Sequence, residues 1–210
     1  MQKIYDFRSK MSPPSLNTQE KQESLEILNY QIRSCQRCSL SATRKHTLPG
    51  EGNIDARIFI VALSPGAKEN IANRMFVGPS GQVLDKLFHA SGISRESIFM
   101  TNLIKCMLPG NRKPEQDEIE LCGKYLDDEI SIIQPEVIVP LGHYAARAVL
   151  TKFSSGIEGP ESSNSRILFG KLLFINNQKI YPLSHPASLL YRPSNEADTI
   201  EMYKKLKTFL

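Results

Sequence analysis

The four cysteines of this chain, Cys35, Cys38, Cys106 and Cys122, are the residues whose type and spacing point most directly to chemistry. Four soft thiolates divided two and two are what a [4Fe–4S] cluster or a tetrahedral zinc ion requires. Free buried thiols and disulfides are the alternatives. Because the chain opens without a secretory segment and disulfides are rare in reducing cytosol, we expect metal ligation. The spacing does not decide between iron–sulfur and zinc.

A second group of residues could bind a ligand, because it follows stretches that are typical of strands. Its members are Ser64, Pro65, Gly66, Asn102, Gly142 and His185. Since ligands sit beyond the carboxyl ends of parallel strands, we expect these residues to line one pocket. Phe76 would offer a flat stacking face, Asn102 a paired donor and acceptor, and His185 a donor. Such a set suits a planar heterocycle.

The elements that must position these residues alternate between strand and helix. Leu25, Leu28 and Ile32 recur at helical spacing and predict a helix that leads into the first cysteine pair. Apolar runs predict strands over 57–63, 98–100, 137–142, 172–175 and 179–183, and amphipathic stretches predict helices that include 83–88, 119–133 and 145–150. This alternation predicts an α/β fold: a three-layer α/β/α sandwich with a mainly parallel central sheet.

The composition of the chain indicates its domain organisation and the kinds of partner it could have. Residues 1–17 mix serine, proline and charge without periodicity and predict a flexible arm, and residues 18–210 are expected to form a single domain. The net charge of +4 permits a polyanionic partner without requiring one. No stretch approaches the apolar length needed to cross a bilayer. We therefore expect a soluble monomer that contacts no membrane.

Six short motifs occur in a fixed order along the chain. They are Cys35-x-x-Cys38, Gly50-Glu51-Gly52-Asn53, Phe76-Val77-Gly78, Thr101-Asn102-x-x-Lys105-Cys106, Asn111-Arg112-x-Pro114 and His185-Pro186-Ala187-x-Leu189-Leu190. Together they resemble the iron–sulfur uracil-DNA glycosylases, family 4, of the uracil-DNA glycosylase superfamily. The resemblance runs from about Leu25 to Tyr203, and it favours [4Fe–4S] over zinc as the group held by the cysteines.

The resemblance implies a DNA repair enzyme that flips uracil, or another deaminated base, out of DNA and hydrolyses its N-glycosidic bond. Phe76 would stack on the flipped ring. Asn102 would bond the O4 and N3–H edge of uracil, whose polarity is opposite in cytosine. His185 would donate to O2 as negative charge develops there. The product would be an abasic site.

The same resemblance implies contacts to the DNA around the flipped base. Leu189 and Leu190 would wedge into the gap that the base leaves, and Lys105 and Arg192 would meet phosphates. A protein with this activity is expected in the cytoplasm, associated with the nucleoid.

The chain departs from the family in the loop after the first strand. The family reads Gly-Glu-Ala-Pro-Gly and then, after two residues, an acidic pair. Here Leu63 replaces the glutamate and Asn70 replaces the second acid, which leaves Glu69 as the carboxylate able to orient or deprotonate the attacking water. We expect activity that is slow or altered in base preference, because departure of the base can limit the rate without a strong general base.

Two functions from different classes therefore stay open. The first is a glycosylase, which the intact Phe76, Asn102 and His185 favour. The second is a catalytically weak or inactive DNA-binding or damage-sensing module of the same fold, which Leu63 and Asn70 favour.

Simpler structural interpretations also exist: Phe76 could fill a core, His185 could be a structural histidine, and Glu69 could be a solvated loop charge. A zinc-stapled nucleotide-binding protein is the third option, but the sequence has no phosphate-binding glycine loop.

Overall fold

A computed structural model describes residues 16–154 and 168–210. Within these residues one sheet of six strands has the order β1-β3-β2-β4-β6-β5. The strands are β1 (Glu51–Gly52), β2 (Ile58–Ala62), β3 (Ile98–Asn102), β4 (Val137–Pro140), β5 (Leu173–Ile175) and β6 (Gln178–Ile180). The central strands β3, β2, β4 and β6 pair in parallel, whereas β1 and β5 pair antiparallel at the two edges. The prediction of a mainly parallel sheet is confirmed.

Helices cover both faces of this sheet. They are α1 (Thr18–Arg33), α2 (Ala67–Ala72), α3 (Pro79–Ser91), α4 (Gln116–Ile133), α5 (His143–Phe153), α6 (Ser188–Tyr191) and α7 (Glu196–Lys204). One apolar core contains buried residues of α1, α4 and α5, and a second contains those of α3 and α7. The predicted three-layer α/β/α sandwich is therefore confirmed. In the described ranges, no helix has both the length and the apolar character that a membrane span requires.

The central strands are apolar on both faces because both faces are covered. All five residues of β2 and all five of β3 are buried. Parallel strands between two helix layers read as continuous apolar runs rather than alternating ones. This explains why the sequence located β2 and β3 to within a residue or two.

The helix before the first cysteine pair, α1, begins at Thr18, directly after its N-cap residue. Asn17 is the N-cap: its side chain accepts the backbone N–H of Glu20, and the Glu20 carboxylate accepts that of Asn17. This capping box fixes the start of α1. Asn17 therefore belongs to the helix start and not to the predicted arm, and residues 1–15 of that arm lie outside the described residues.

Candidate active site

The carboxyl ends of the parallel strands surround a single pocket of about 340 Å³. The segment after β2, the end of β3, the turn after β4 and the segment after β6 all contribute to its wall, as the strand order predicts. Every residue expected to bind the base or to act on it lines this pocket: Ser64, Pro65, Gly66, Glu69, Phe76, Asn102 and His185. The structure thus brings these predicted residues together.

Asn102 is the last residue of β3 and lines the pocket. Its register opposite Ala62 of β2 places it at the carboxyl edge of the sheet. The side chain is buried, and its Nδ2 donates to the thioether sulfur of Met75 at 3.0 Å. Because a thioether is a weak acceptor, a carbonyl of a bound heterocycle would be a better partner for this amide.

Phe76, which lines the same pocket, has an uncommon backbone conformation. Its φ of +52° is in the left-handed region, where residues other than glycine are rare. The carbonyl of Phe76 accepts a hydrogen bond from Nη2 of Arg95 at 2.9 Å, which holds this conformation. The ring centroid lies 6.4 Å from that of His185, with 31° between the planes. The two rings therefore face one space, although the Phe76 side chain is itself largely buried.

His185 has a defined tautomer. Its Nδ1 accepts the backbone N–H of Ala187 at 3.2 Å, so a neutral ring carries its proton on Nε2. Burial lowers the pKa of His185 below its ordinary value of 6.5, and the neighbouring Glu69 carboxylate opposes that shift. At neutral pH the ring is an uncharged donor through Nε2. Gly142, whose φ is +83°, allows the close approach, because a Cβ there would lie 3.1 Å from the Cβ of His185.

Glu69 lies in the first turn of α2 and not on the loop where the sequence placed it. Its Oε1 accepts the backbone N–H of Gly78 at 2.7 Å, at the start of α3. A Cβ on Gly66 would lie 2.6 Å from Oε2, so the glycine leaves room for the carboxylate. The carboxylate is therefore held at the pocket wall, within electrostatic range of His185.

The two positions that depart from the resembled family have different surroundings. Leu63 lines the pocket, where it presents an apolar side chain. Asn70 is not a wall residue: its Oδ1 accepts the backbone N–H groups of Lys45 and His46, each at 3.1 Å. An amide performs this task as well as a carboxylate, so the change at position 70 removes no acid from the pocket.

Lys105 corrects one prediction. Its side chain is 1% exposed, and Nζ donates to Glu129 at 2.6 Å, to Thr101 Oγ1 at 2.6 Å and to the Asn102 carbonyl at 2.8 Å. Glu129 also accepts from the Gly50 backbone N–H at 3.0 Å. An ammonium group enclosed in this way cannot reach a DNA phosphate. The network instead joins the end of β3 to α4.

The segment after His185 corrects a second prediction. Leu189 is 8% exposed and packs in the core on the α3 and α7 side, so it is not available as a wedge. The neighbouring Leu190 is 49% exposed, and Tyr191 is 84% exposed. Arg192 is also exposed, as a phosphate contact requires. The apolar surface beside the pocket thus comprises Leu190 and Tyr191, and only the first of these was predicted.

The four cysteines lie on three parts of the chain: the segment after α1, the segment after β3, and α4. Cys106 and Cys122 are buried, Cys35 and Cys38 are half-buried, and none is in a disulfide. Burial raises the pKa of Cys106 to about 11, against the opposing effect of Arg44, whose Nη1 lies 3.6 Å from its sulfur. The charges of Cys122 and Cys38 also raise the pKa of Cys106, by less than burial does.

This group fits an iron–sulfur centre in donor type and surroundings. Among residues 16–154 and 168–210, no three side chains of His, Cys, Asp or Glu are grouped as a site for one metal ion. The thiols nevertheless act electrostatically on one another, with Cys35 and Cys38 both raising the pKa of Cys122 alongside the larger effect of burial. N–H donors point at the sulfurs, from Arg44 to Cys106 and from the Lys105 backbone to Cys122. Soft ligands with N–H···S contacts are typical of cluster sites.

Several pocket residues were not predicted as site residues. They are Ala62, Leu63, Met75, Ser80, Leu108, Asn111, Arg112, Leu141, His143 and Tyr144, whereas Gly142 lines the pocket as expected. Asn111 and Arg112 belong to a motif that signalled the family, and His143 and Tyr144 directly follow the glycine turn after β4, so position alone could have indicated them. Arg112 is ion-paired with Glu118 at 2.5 Å, which orients its guanidinium at the pocket wall.

Comparison with known proteins identifies the relatives of this chain. Residues 49–207 match the sequence profile of the uracil DNA glycosylase superfamily. The chain is 34% identical over 193 residues to the type-4 uracil-DNA glycosylase of Saccharolobus solfataricus, covering 90% of this chain and 87% of that protein. It is 35% identical over 192 residues to the type-4 uracil-DNA glycosylase of Thermotoga maritima, covering 90% and 96%. A type-5 uracil-DNA glycosylase of Pyrobaculum aerophilum is 28% identical over 157 residues, covering 68% and 66%.

Proposed function

Because the chain belongs to the uracil-DNA glycosylase superfamily, and within it to the type-4 enzymes, we propose that it excises uracil from DNA by hydrolysing the N-glycosidic bond. The observation that carries this proposal is the single pocket that contains Asn102, Phe76, His185 and Glu69. A pocket of about 340 Å³ suits one heterocycle rather than a paired duplex. The substrate nucleotide must therefore leave the base stack, at a cost of about a few kcal/mol.

Uracil recognition is assigned to Asn102 and Phe76. The amide of Asn102 offers a donor and an acceptor, which match O4 and N3–H of uracil; cytosine presents the opposite polarity and would leave both groups unpaired. When uracil binds, its O4 would replace the Met75 sulfur as the acceptor of the hydrogen bond from Asn102 Nδ2, and that bond would be stronger. Phe76 faces the same space as His185 and would bound the ring from one side.

Bond cleavage is assigned to His185 and Glu69. The Nε2–H of a neutral His185 would donate to uracil O2 as the base departs with its bonding electrons, and a donor of this kind can contribute about 3 kcal/mol. Glu69, held by the Gly78 N–H, would orient or deprotonate the water that attacks the sugar carbon. The water's proton leaves through Glu69, and the hydroxyl completes the abasic sugar.

DNA contact is assigned to the exposed residues after His185. Leu190 supplies the apolar side chain that would fill the gap left by the base, and Arg192 supplies a cation for a phosphate. These residues follow the pocket histidine directly, so DNA seated on them would present one nucleotide to the pocket. The substrate is DNA containing uracil or another deaminated base.

We assign the four cysteines, Cys35, Cys38, Cys106 and Cys122, to a [4Fe–4S] cluster, with zinc as the less favoured alternative. When bound, the cluster would join α1 to the segment between Cys106 and α4 and so order this face of the protein. None of the four cysteines lines the pocket, which supports a structural role for the cluster. The protein is further proposed to act as a monomer on cytoplasmic, nucleoid-associated DNA.

The proposal is tested by cleavage of an end-labelled oligonucleotide that carries one uracil, single-stranded or opposite guanine or adenine. Oligonucleotides with hypoxanthine or thymine serve as substrate controls. We expect uracil-dependent strand breaks after alkali, reduced about 100-fold or more in His185→Ala. His89→Ala, a change at an exposed histidine, is the matched control.

A second result separates the enzyme from the DNA-binding module that Leu63 favours. Cluster-loaded protein that binds uracil DNA but cleaves no base would overturn the enzymatic proposal and leave the binding module. If cleavage occurs, Glu69→Gln should slow the single-turnover rate while leaving binding of uracil DNA unchanged, because the carboxylate acts on water rather than on the base.

A further inference from the structure

The helix that carries Glu69 has few means of holding its position. The six residues of α2 include none that are buried, and Ile71 is exposed. Helices in proteins are normally held by an apolar face packed on the core, and α2 lacks one. Its position must therefore depend on polar contacts. Two of these lie next to each other, at Glu69 and Asn70.

Asn70 provides the contact on the side away from the pocket. Its Oδ1 accepts the N–H groups of Lys45 and His46, each at 3.1 Å, so one side-chain oxygen holds two consecutive backbone groups. These bonds join α2 to a segment more than twenty residues earlier in the chain. Asn70 therefore ties the helix of Glu69 to the 44–48 segment.

The 44–48 segment is itself bonded to the cysteine group. Arg44 donates from Nη1 to the Cys106 sulfur at 3.6 Å and from Nη2 to the Cys35 carbonyl. Thr47 pairs with Cys106 in an antiparallel bridge, and the Leu48 N–H donates to the Lys105 carbonyl at 2.7 Å. A displacement at the cysteines would thus be transmitted to this segment.

We propose that Asn70 is a positioning residue that couples the cysteine group to Glu69. The inference rests on the proposed function, since it assigns to Asn70 the placement of the carboxylate that acts on water. Coupling is reciprocal, so loosening Asn70 should alter both ends: the rate of base excision and the resistance of the cluster to loss.

The experiment uses holoprotein with wild-type cluster content and measures three quantities for Asn70→Ala and Asn70→Asp. These are the single-turnover rate on single-stranded uracil DNA, the dissociation constant for that DNA, and the rate at which the cluster's visible absorbance is lost to a chelator in air. We expect Asn70→Ala to slow excision about 10- to 100-fold, with an unchanged dissociation constant and faster cluster loss. Asn70→Asp should restore both rates, because a carboxylate oxygen accepts the same two N–H groups.

A double-mutant cycle tests whether Asn70 acts through Glu69. In a Glu69→Gln background, addition of Asn70→Ala should change the remaining rate by less than about twofold. A loss as large as in the wild-type background would mean that Asn70 acts by general destabilisation, and would overturn the inference. If Asn70→Ala does not accumulate as holoprotein, Asn70→Ser, whose shorter side chain reaches less far, takes its place in the same cycle.

The outcomes separate this inference from the proposed function. If wild-type holoprotein excises no uracil, the proposed function fails, and so does the inference in the form stated. If the wild type is active and Asn70→Ala equals it in excision rate or in cluster loss, only the coupling is overturned.

Discussion

His185 is prepared for its role by a contact to its own backbone segment. Because Nδ1 accepts the Ala187 N–H, the remaining ring proton points away from that segment through Nε2. Protonation would place a second N–H against Ala187 and break this contact. The residue is therefore most useful as a neutral donor, and burial, which lowers its pKa, keeps it neutral.

This burial predicts a pH dependence of stability. The unfolded chain binds a proton at His185 near its ordinary value of 6.5, whereas the folded chain does so only at lower pH, so protons favour unfolding. The stabilisation is full above that value and declines as the pH falls toward the folded pKa. We expect His185→Gln to lose less unfolding free energy than wild type between about pH 7 and 5, measured by urea unfolding. Equal slopes for the variant and wild type, with His89→Gln as control, would contradict this.

Position 70 shows how a residue-level comparison can mislead. Loss of an acidic residue near a catalytic loop suggests loss of a catalytic group, because the direction of its side chain cannot be read from the sequence. In the fold, Asn70 accepts the backbone N–H groups of Lys45 and His46, and the acidic group that remains, Glu69, is the one at the pocket. Leu63 is the substitution that changes the wall of the pocket.

At the scale of elements, the short helix α6 gives two adjacent leucines different surroundings. This single turn follows the pocket histidine and places Leu189 inward and Leu190 outward. An apolar core position and an apolar DNA contact therefore stand next to each other in sequence, and the type of residue alone does not distinguish them.

The two leucines give a prediction with an internal control. Leu189→Ala should lower the free energy of unfolding by about 2–5 kcal/mol, because it leaves a cavity in the core. Leu190→Ala should leave that free energy within about 0.5 kcal/mol, and should slow excision from duplex DNA more than from single-stranded DNA. Urea unfolding and single-turnover rates on both substrates measure the two effects. A Leu190→Ala variant as active as wild type on duplex DNA would remove Leu190 from the wedge.

The buried pair between β3 and α4 gives a second prediction at this scale. Lys105→Met leaves Glu129 charged and buried, so we expect a loss of about 3–5 kcal/mol of unfolding free energy. The double variant Lys105→Met, Glu129→Gln removes both charges and should recover part of that loss. Thermal or urea unfolding of both variants measures the difference. If the double variant recovered none of the unfolding free energy lost in Lys105→Met, the cost would not come from leaving Glu129 charged and unpaired.

Elements with a strong apolar pattern were predictable, and those without one were not. The central strands and α4 carry long apolar or amphipathic signals, so their positions followed from the sequence. By contrast, α2 has no buried residue and β1 is only two residues long. Neither element therefore has an apolar pattern that could be recognised in the sequence. Lys105 was misplaced for a similar reason: lysine is rarely buried, and its partner Glu129 is far along the chain.

In the whole molecule, distant parts of the chain contribute to two places, the pocket and the cysteine group. The pocket residues lie at and after the strand ends. The four cysteines lie on the segment after α1, the segment after β3, and α4. The sheet makes the position of the pocket predictable, since its parallel strands β2, β3, β4 and β6 all end at the same edge. The cysteine group was predictable only as a set of four ligands, because their contacts depend on loops.

Removal of one cysteine should affect the whole fold before it affects chemistry. We expect Cys106→Ser to lose the visible absorbance of the proposed cluster and to unfold at lower urea concentration, because the ligand set closes long stretches of chain. Thr43→Ala, a change at an exposed residue shortly after Cys38, should retain both properties. A soluble, cluster-free Cys106→Ser protein with full excision activity would show that the cluster is not structural.

The position of the cysteines along the chain also sets an order of events during synthesis. The last cysteine, Cys122, precedes His185 by about 60 residues. At about 5–20 residues per second, a ribosome completes the ligand set about 3–12 s before it adds the histidine that finishes the pocket. The nascent chain can therefore bring the four proposed ligands together, and with them α1 and α4, before it is able to excise a base.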